Sequence, residues 1–298
     1  MNNTKANLLF VLAMALFAVQ DLFVKRLTVH VPASEVIFFL GLGAAIIFAA
    51  IALRTGKTLF PPISVYPLLY LRTVSEAFCA IFIITSLSTV PLATFATVFQ
   101  AVPLVVTMGA AVFLKEQVGW RRWLAIAVGF CGVLMIIRPG SSGFDSATLL
   151  VLAAVLAISV RDVISRRLPV ELPSSVVSFQ GFAALIVAGP VLGLVLQQNP
   201  VQPTAGQWGY LASTVGLGVV GYAAMIVAMR IGEVSALAPF RYSRMVFSMG
   251  LGILLLGERP DLMTYAGAAL IIASGLYTYL RERRLNKRAA LIIAAGPL

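Results

Sequence analysis

Charges, prolines and glycines divide this chain into ten apolar runs, at residues 8–28, 34–53, 66–88, 92–114, 120–138, 146–168, 174–196, 207–230, 234–256 and 262–281. Each is close to the roughly 20 residues that carry a helix across hydrocarbon. A soluble domain has about a quarter of its residues charged, whereas this chain is 60% hydrophobic and 11% charged with a mean hydropathy of +0.98. The linkers are short, so sequential helices run antiparallel and little of the chain is left outside the bilayer. The expected fold is an all-α integral membrane protein of ten transmembrane helices. The first run is expected to be retained and not cleaved as a secretion signal, because its counterpart at 146–168 is internal and no small-residue cleavage site follows it.

The ten runs are two sets of five. VQDLFVKRLTVHVPASEVIF at 19–38 matches VRDVISRRLPVELPSSVVSF at 160–179, and Asp21/Asp162, Lys25/Arg166, Arg26/Arg167, Pro32/Pro173 and Phe38/Phe179 all share one spacing of 141. An odd number of helices per copy forces the second copy into the membrane upside down, giving two inverted five-helix repeats. The predicted units are 1–140, 141–284 and a basic, then apolar, tail at 285–298. The last ten residues, from Ala289, are too few to cross.

The formal net charge is +11, with 22 Lys and Arg against 11 Asp and Glu. In a soluble protein this would suggest nucleic acid; here the basic residues cluster at helix ends and orient the chain, so no nucleic-acid partner is expected. Fourteen of them fall on the side of the amino terminus, and four, Arg72, Arg161, Arg241 and Arg244, fall within helices. The bias predicts a cytoplasmic (inner) membrane protein with both termini cytoplasmic. Cys79 and Cys131 lie in apolar helices and are expected as reduced packing residues.

TVPLATFATVFQAVPLVVTMGAAVFLKEQVGWRRWLAIAVGFCGVLMII in the first half and GEVSALAPFRYSRMVFSMGLGILLLGERPDLMTYAGAALIIASGLYTYL in the second share three marks. These are a small residue near the start (Ala93 or Ser235), a run ending in Glu116 or Glu258, and a glycine-bearing helix after it. The chain thereby resembles, twice, the EamA-type half of the drug/metabolite transporter superfamily, departing at Lys115 where a glycine like Gly257 is usual. The resemblance implies a ten-helix carrier working by alternating access. It also implies a central cavity walled by helices three, four, eight and nine, with five and ten peripheral. It leaves the solute open, since the superfamily includes amino-acid exporters and importers of vitamins and nucleotide-like compounds.

Ionisable residues within spanning helices are costly and default to function. Arg72 and Glu76 are four apart on helix three, and Arg241 and Arg244 three apart on helix nine, so each pair shares a helix face. Three guanidinium groups against one carboxylate leave a positive surplus suited to a carboxylate or phosphate, with Arg244 the foremost candidate. The alternative is a structural network in which Glu76 neutralises one arginine; Glu76 as a coupling-proton carrier is a further option that a nearby arginine opposes. Gln100, Gln180, Tyr222 and Tyr242 offer neutral hydrogen-bonding groups that bind solute or join helices, and Phe99, with Phe78, Phe95, Phe240 and Phe247, offers an apolar wall. Pro103 and Pro239 free backbone carbonyls and permit bending. Asp21 with Lys25 and Asp162 with Arg166 are i,i+4 pairs that the inversion places at opposite mouths, read as gate contacts or as ordinary helix-end pairs. Glu116 and Glu258 are expected to cap the turns that follow them.

No enzyme is expected. One histidine, His30, matched in the repeat by Glu171, cannot supply a catalytic or metal-ligand set. RTGKT at 54–58 lacks the earlier glycine of a phosphate loop, Ile51 taking its place. No charge ring or filter loop suggests a channel. Catalytic residues, metals and cofactors are therefore expected to be none, and the partners a small-molecule substrate and the lipid bilayer. Small-residue stripes at Gly41, Ala45 and Ala49, at Ala125 and Gly129, and at Gly189 and Gly193 permit close helix contact or a homodimer, though a monomer suffices. The functional expectation is export of amino acids, aromatic ones included, or related metabolites, the alternative being import of a vitamin or nucleotide-like compound.

Overall fold

In a medium that cannot hydrogen-bond the backbone, an apolar run closes its own amides into helix, and the described part of each run does so. The computed structural model describes residues 3–116, 118–140, 144–169, 171–232 and 237–294. The helices are α1 (Asn3–Leu27), α2 (Ala33–Arg54), α3 (Pro67–Thr89), α4 (Leu92–Phe99), α5 (Val102–Phe113), α6 (Trp120–Ile137), α7 (Thr148–Ser165), α8 (Ser174–Val195) and α9 (Ala205–Ile231). A 3₁₀ turn (Ala238–Tyr242), α10 (Ser243–Leu256) and α11 (Leu262–Ala294) complete the chain. Among the described residues nine segments are long and apolar enough to cross a membrane, α4 and α5 together making one of them. The run not among them is the ninth, at 234–256, whose described part is divided between the 3₁₀ turn and α10.

Prolines open several helices, because a fixed φ suits the first turn and the missing N–H is not needed there: Pro32, Pro91 and Pro173 precede α2, α4 and α8, and Pro67 begins α3. Thr204 opens α9 with a capping box to Gln207. Gly257 ends α10 at φ +67°, and its repeat counterpart Lys115 takes the same left-handed conformation at φ +56° without glycine's freedom. The last helix runs on past the expected end at 281 to Ala294, since no glycine or proline interrupts it before Gly296.

We call the end of the bundle where α1 begins the near face and the other the far face. Packing follows the duplication. α1 lies along α9 and α10 of the second half, and its counterpart α7 lies along α3, α4 and α5 of the first. The self-related pairs α2 with α8 and α6 with α11 close the bundle across the pseudo-two-fold axis. The small-residue stripes are used inside the chain: Gly41 meets Leu185 and Phe182, Gly129 meets Leu104 and Ser274, and Gly189 meets Ser34 and Phe38. The outer surface is apolar, with Leu194, Leu254 and Leu262 each 80% exposed, as lipid-facing side chains require.

The two related breaks matter most for function. α4 stops at Phe99, Gln100 and Ala101 turn tightly on Thr97 and Val98, and α5 restarts with Pro103 in its first turn. In the second half the 3₁₀ turn holding Pro239 gives way to α10 at Tyr242–Ser243. Gln100 and Tyr242, 142 residues apart, thus stand at equivalent breaks, although their prolines do not match. Ser235, the second-half repeat mark, lies outside the described residues.

Candidate functional site

Arg244, in the first turn of α10, reaches Asp21 of α1. Nε donates to Oδ2 at 3.1 Å, and Nη2 to Oδ1 and Oδ2 at 2.8 Å each. Phe17 stands one turn before Asp21, so α1 presents a ring and a carboxylate on one face. The guanidinium carbon lies 5.4 Å from the Phe17 ring centre and 5.4 Å from that of Phe99, which is itself stacked on Phe95. The carboxylate is almost wholly covered, at 7% exposure, while the arginine side chain keeps 24%.

A second cluster joins α3 to α7. Arg72 Nη2 meets Glu76 Oε2 at 2.7 Å, as the four-residue spacing predicts. Glu76 Oε1 accepts from Arg161 at 3.0 Å, and Arg161 holds Asp162 at 2.7 Å. Arg72 also donates to the carbonyl of Val177 on α8 at 3.1 Å. Gly181 admits this arginine, because a Cβ there would lie 2.7 Å from Nη1.

The two clusters are related by the repeat. Gln20 and Asp21 correspond to Arg161 and Asp162, and Gly218 to Glu76. Gln20 lies against Gly218 just as Arg161 lies against Glu76. One half thus keeps a neutral contact where the other has an ion pair.

These contacts correct the expected charge surplus. Arg72, Arg161 and Arg244 are matched by Glu76, Asp162 and Asp21. Arg241, expected on a common face with Arg244, is exposed in the 3₁₀ turn, where helical face-sharing does not apply. The expected i,i+4 pairs give way to longer-range partners. Lys25 donates to the carbonyls of Leu87 and Val90 at 3.1 and 2.6 Å, groups left open by the end of α3. Arg166 reaches Glu116 at 3.4 Å, leaving Asp162 to Arg161. Arg161 was visible in the sequence as an intramembrane charge, but a neighbour at i+1 does not share its face, so spacing gave no partner.

Among the neutral candidates, Gln100 is buried at its break, and Tyr242 packs its hydroxyl end against Gly275 of α11. Gln180 and Tyr222 are drawn into packing instead. Gln180 donates to the carbonyl of Leu59 at 2.8 Å, fixing the α2–α3 link. Tyr222 takes a bond from Ser178 at 3.4 Å and meets Phe48 edge-on. Phe78 is exposed and stacks on Phe82, away from any wall.

Glu258 does not cap its own following turn. It accepts from the amides of Leu92 and Ala93 at 2.6 and 2.8 Å, capping α4 of the other half. Two more contacts tie the halves at the far face: Arg138 with Asp261, and Arg26 with the carbonyl of Leu255 at 3.4 Å. At the near face the counterpart of the last is Arg167 on the carbonyl of Phe113 at 2.6 Å.

The EamA-like transporter family matches this chain twice, at residues 4–138 and 145–280. The S-adenosylmethionine uptake transporter of Rickettsia prowazekii (strain Madrid E) is 25% identical over 279 residues, 92% of each chain. The Pseudopaline exporter CntI of Pseudomonas aeruginosa (strain UCBPP-PA14) is 27% identical over 273 residues, 90% of this chain and 93% of that one. The Riboflavin transporter of Rhizobium johnstonii (strain DSM 114642 / LMG 32736 / 3841) is 28% identical over 201 residues, 65% of each. One protein crystal structure shares the fold, with a TM-score of 0.66 over 95% of this chain and 99% of that one at 22% identity. With doubled helices, inverted packing and a family match over both halves, the chain belongs to the EamA-like transporter family and is a multi-pass membrane transporter of metabolites.

Proposed function

We propose that the protein moves small organic metabolites, amino acids and related compounds including aromatic ones, outward across the cytoplasmic membrane, both termini being cytoplasmic. The halves rock about a central site at Arg244, Asp21, Phe17 and Phe99, with Gln100 and Tyr242 at the helix breaks. The observation that carries this reading is the partial exposure, 24%, of the Arg244 side chain within the ninth apolar run. An ionised group at the bilayer centre costs about 2.5–3.5 kcal/mol on insertion scales, so open charged surface there belongs to an aqueous vestibule and not to lipid. Outward movement draws support from the likeness to an exporter over 90% of the chain. Inward movement of a vitamin or nucleotide-like metabolite is the second reading, favoured by the relatives named for uptake and for riboflavin.

The test is counterflow in vesicles holding purified protein. Unlabelled solute on the far side accelerates labelled solute entry through a carrier, whereas open-pore conductance without such exchange overturns the reading. Arg244→Ala is expected to abolish transport while folded protein persists by size-exclusion chromatography. Unchanged uptake and efflux in that variant would remove Arg244 from the site.

A further inference from the structure

We propose that the Asp21–Arg244 site selects solutes carrying an adjacent carboxylate and ammonium group, and rejects simple anions and simple cations of the same shape. This rests on the transport reading above and narrows its substrate to zwitterions.

The argument is one of charge balance and open edges. Arg244 gives Nε and Nη2 to Asp21, and two phenylalanine rings lie against the guanidinium. Nη1 has no partner among the described residues, and the side chain is a quarter exposed. Nη1 is therefore the donor left for an arriving carboxylate.

That carboxylate comes to rest beside Asp21. Two like charges about 4 Å apart at an effective dielectric of about 20 repel by an amount equal to roughly a thousandfold in affinity. A solute that brings its own ammonium next to its carboxylate cancels the repulsion, since Asp21 Oδ1 accepts one bond from Arg244, against two at Oδ2, and retains a lone pair. A simple cation meets the converse penalty from Arg244. Arg72 and Arg161 offer no spare charge to relieve an anion, being matched by Glu76 and Asp162, and Arg241 is exposed in the 3₁₀ turn. The site is thus unlike the anion trap that Arg72, Arg241 and Arg244 suggest when counted along the sequence.

The experiment uses the full chain in detergent. Neutral amino acids with small, aliphatic and aromatic side chains are titrated, each beside its N-acetyl form (an anion) and its amide (a cation), with the melting temperature as readout. At least one amino acid is expected to stabilise the wild-type protein at concentrations tenfold or more below those its two derivatives need. In Asp21→Asn the preference is expected to shift at least tenfold toward the N-acetyl form. The wild-type comparison decides even if that variant does not fold. N-acetyl forms binding wild type as well as the parent amino acids would overturn the proposal, as would a panel in which no amino acid binds. Counterflow of some other solute by the same preparation would then leave the transport reading standing and the zwitterion inference refuted.

Discussion

Replacing Glu258 removes a cap that one half of the protein lends to the other. Its carboxylate accepts from Leu92 and Ala93 at 2.6 and 2.8 Å, at the amino end of an eight-residue helix. Those two residues are 0% and 1% exposed, so water cannot take over the freed amides. Loss of an N-cap costs about 0.5–2 kcal/mol, and each buried donor left unpaired about 1–3 kcal/mol. A net loss of about 2–3 kcal/mol in Glu258→Ala follows, with some relief from settling of the chain. Glu258→Gln keeps one acceptor oxygen and about half the effect. Hydrogen exchange is the direct assay: if the amides at Leu92 and Ala93 exchange by local opening of α4, about 2 kcal/mol speeds them roughly thirtyfold. Peptides covering α9, which Glu258 does not touch, serve as the internal control. Exchange across 92–99 that is unchanged in Glu258→Ala would show that the cap carries no such energy and refute the reasoning.

Two other perturbations test the bundle away from the site. A Cβ on Gly132 would lie 2.7 Å from the carbonyl oxygen of Gly267, and one on Gly267 2.6 Å from that of Gly132, so neither backbone can yield cheaply. Gly132→Ala or Gly267→Ala is expected to cost about 1–3 kcal/mol in thermal unfolding by forcing α6 from α11, with solute affinity unchanged in the protein that remains folded. At the far face, the Arg138 guanidinium and then the Thr264 hydroxyl and amide hold the Asp261 carboxyl down at about 2, from an ordinary 3.8. The unfolded chain therefore takes up this proton first. The pair's contribution is complete above pH 4 and fades as pH falls toward 2; solvent screening at this exposed pair keeps it under about 1 kcal/mol. Asp261→Asn is expected to flatten that part of the melting-temperature profile against pH, and an unaltered profile would contradict the assignment.

Much of the architecture was legible in the chain itself. Spanning runs, inverted duplication and the Arg72–Glu76 pair all follow from local rules: transfer of apolar side chains, helix length against bilayer thickness, and the four-residue turn. The break at Pro103 was legible as a bend, since a missing amide acts on its own helix. What failed were the ion-pair and capping partners, which depend on which helix lies beside which. Lys25 and Arg166 were given the nearest acid in their own helix, yet bond to groups at positions 87, 90 and 116. Gln180 and Tyr222 look alike in sequence to Gln100 and Tyr242, and only their neighbours separate a packing role from a place at the helix breaks.

Sequence alone determined that the chain is a membrane protein of apolar, membrane-length helices in two related copies, because hydropathy is summed residue by residue and duplication is written in the residues. Tertiary structure alone decided that Arg72, Arg161 and Arg244 each meet a carboxylate. Asp21 and Arg244 are 223 residues apart and meet through α1 lying on α10, and electrostatic energy depends on distance in space, a quantity that spacing along the chain does not carry beyond a helix turn.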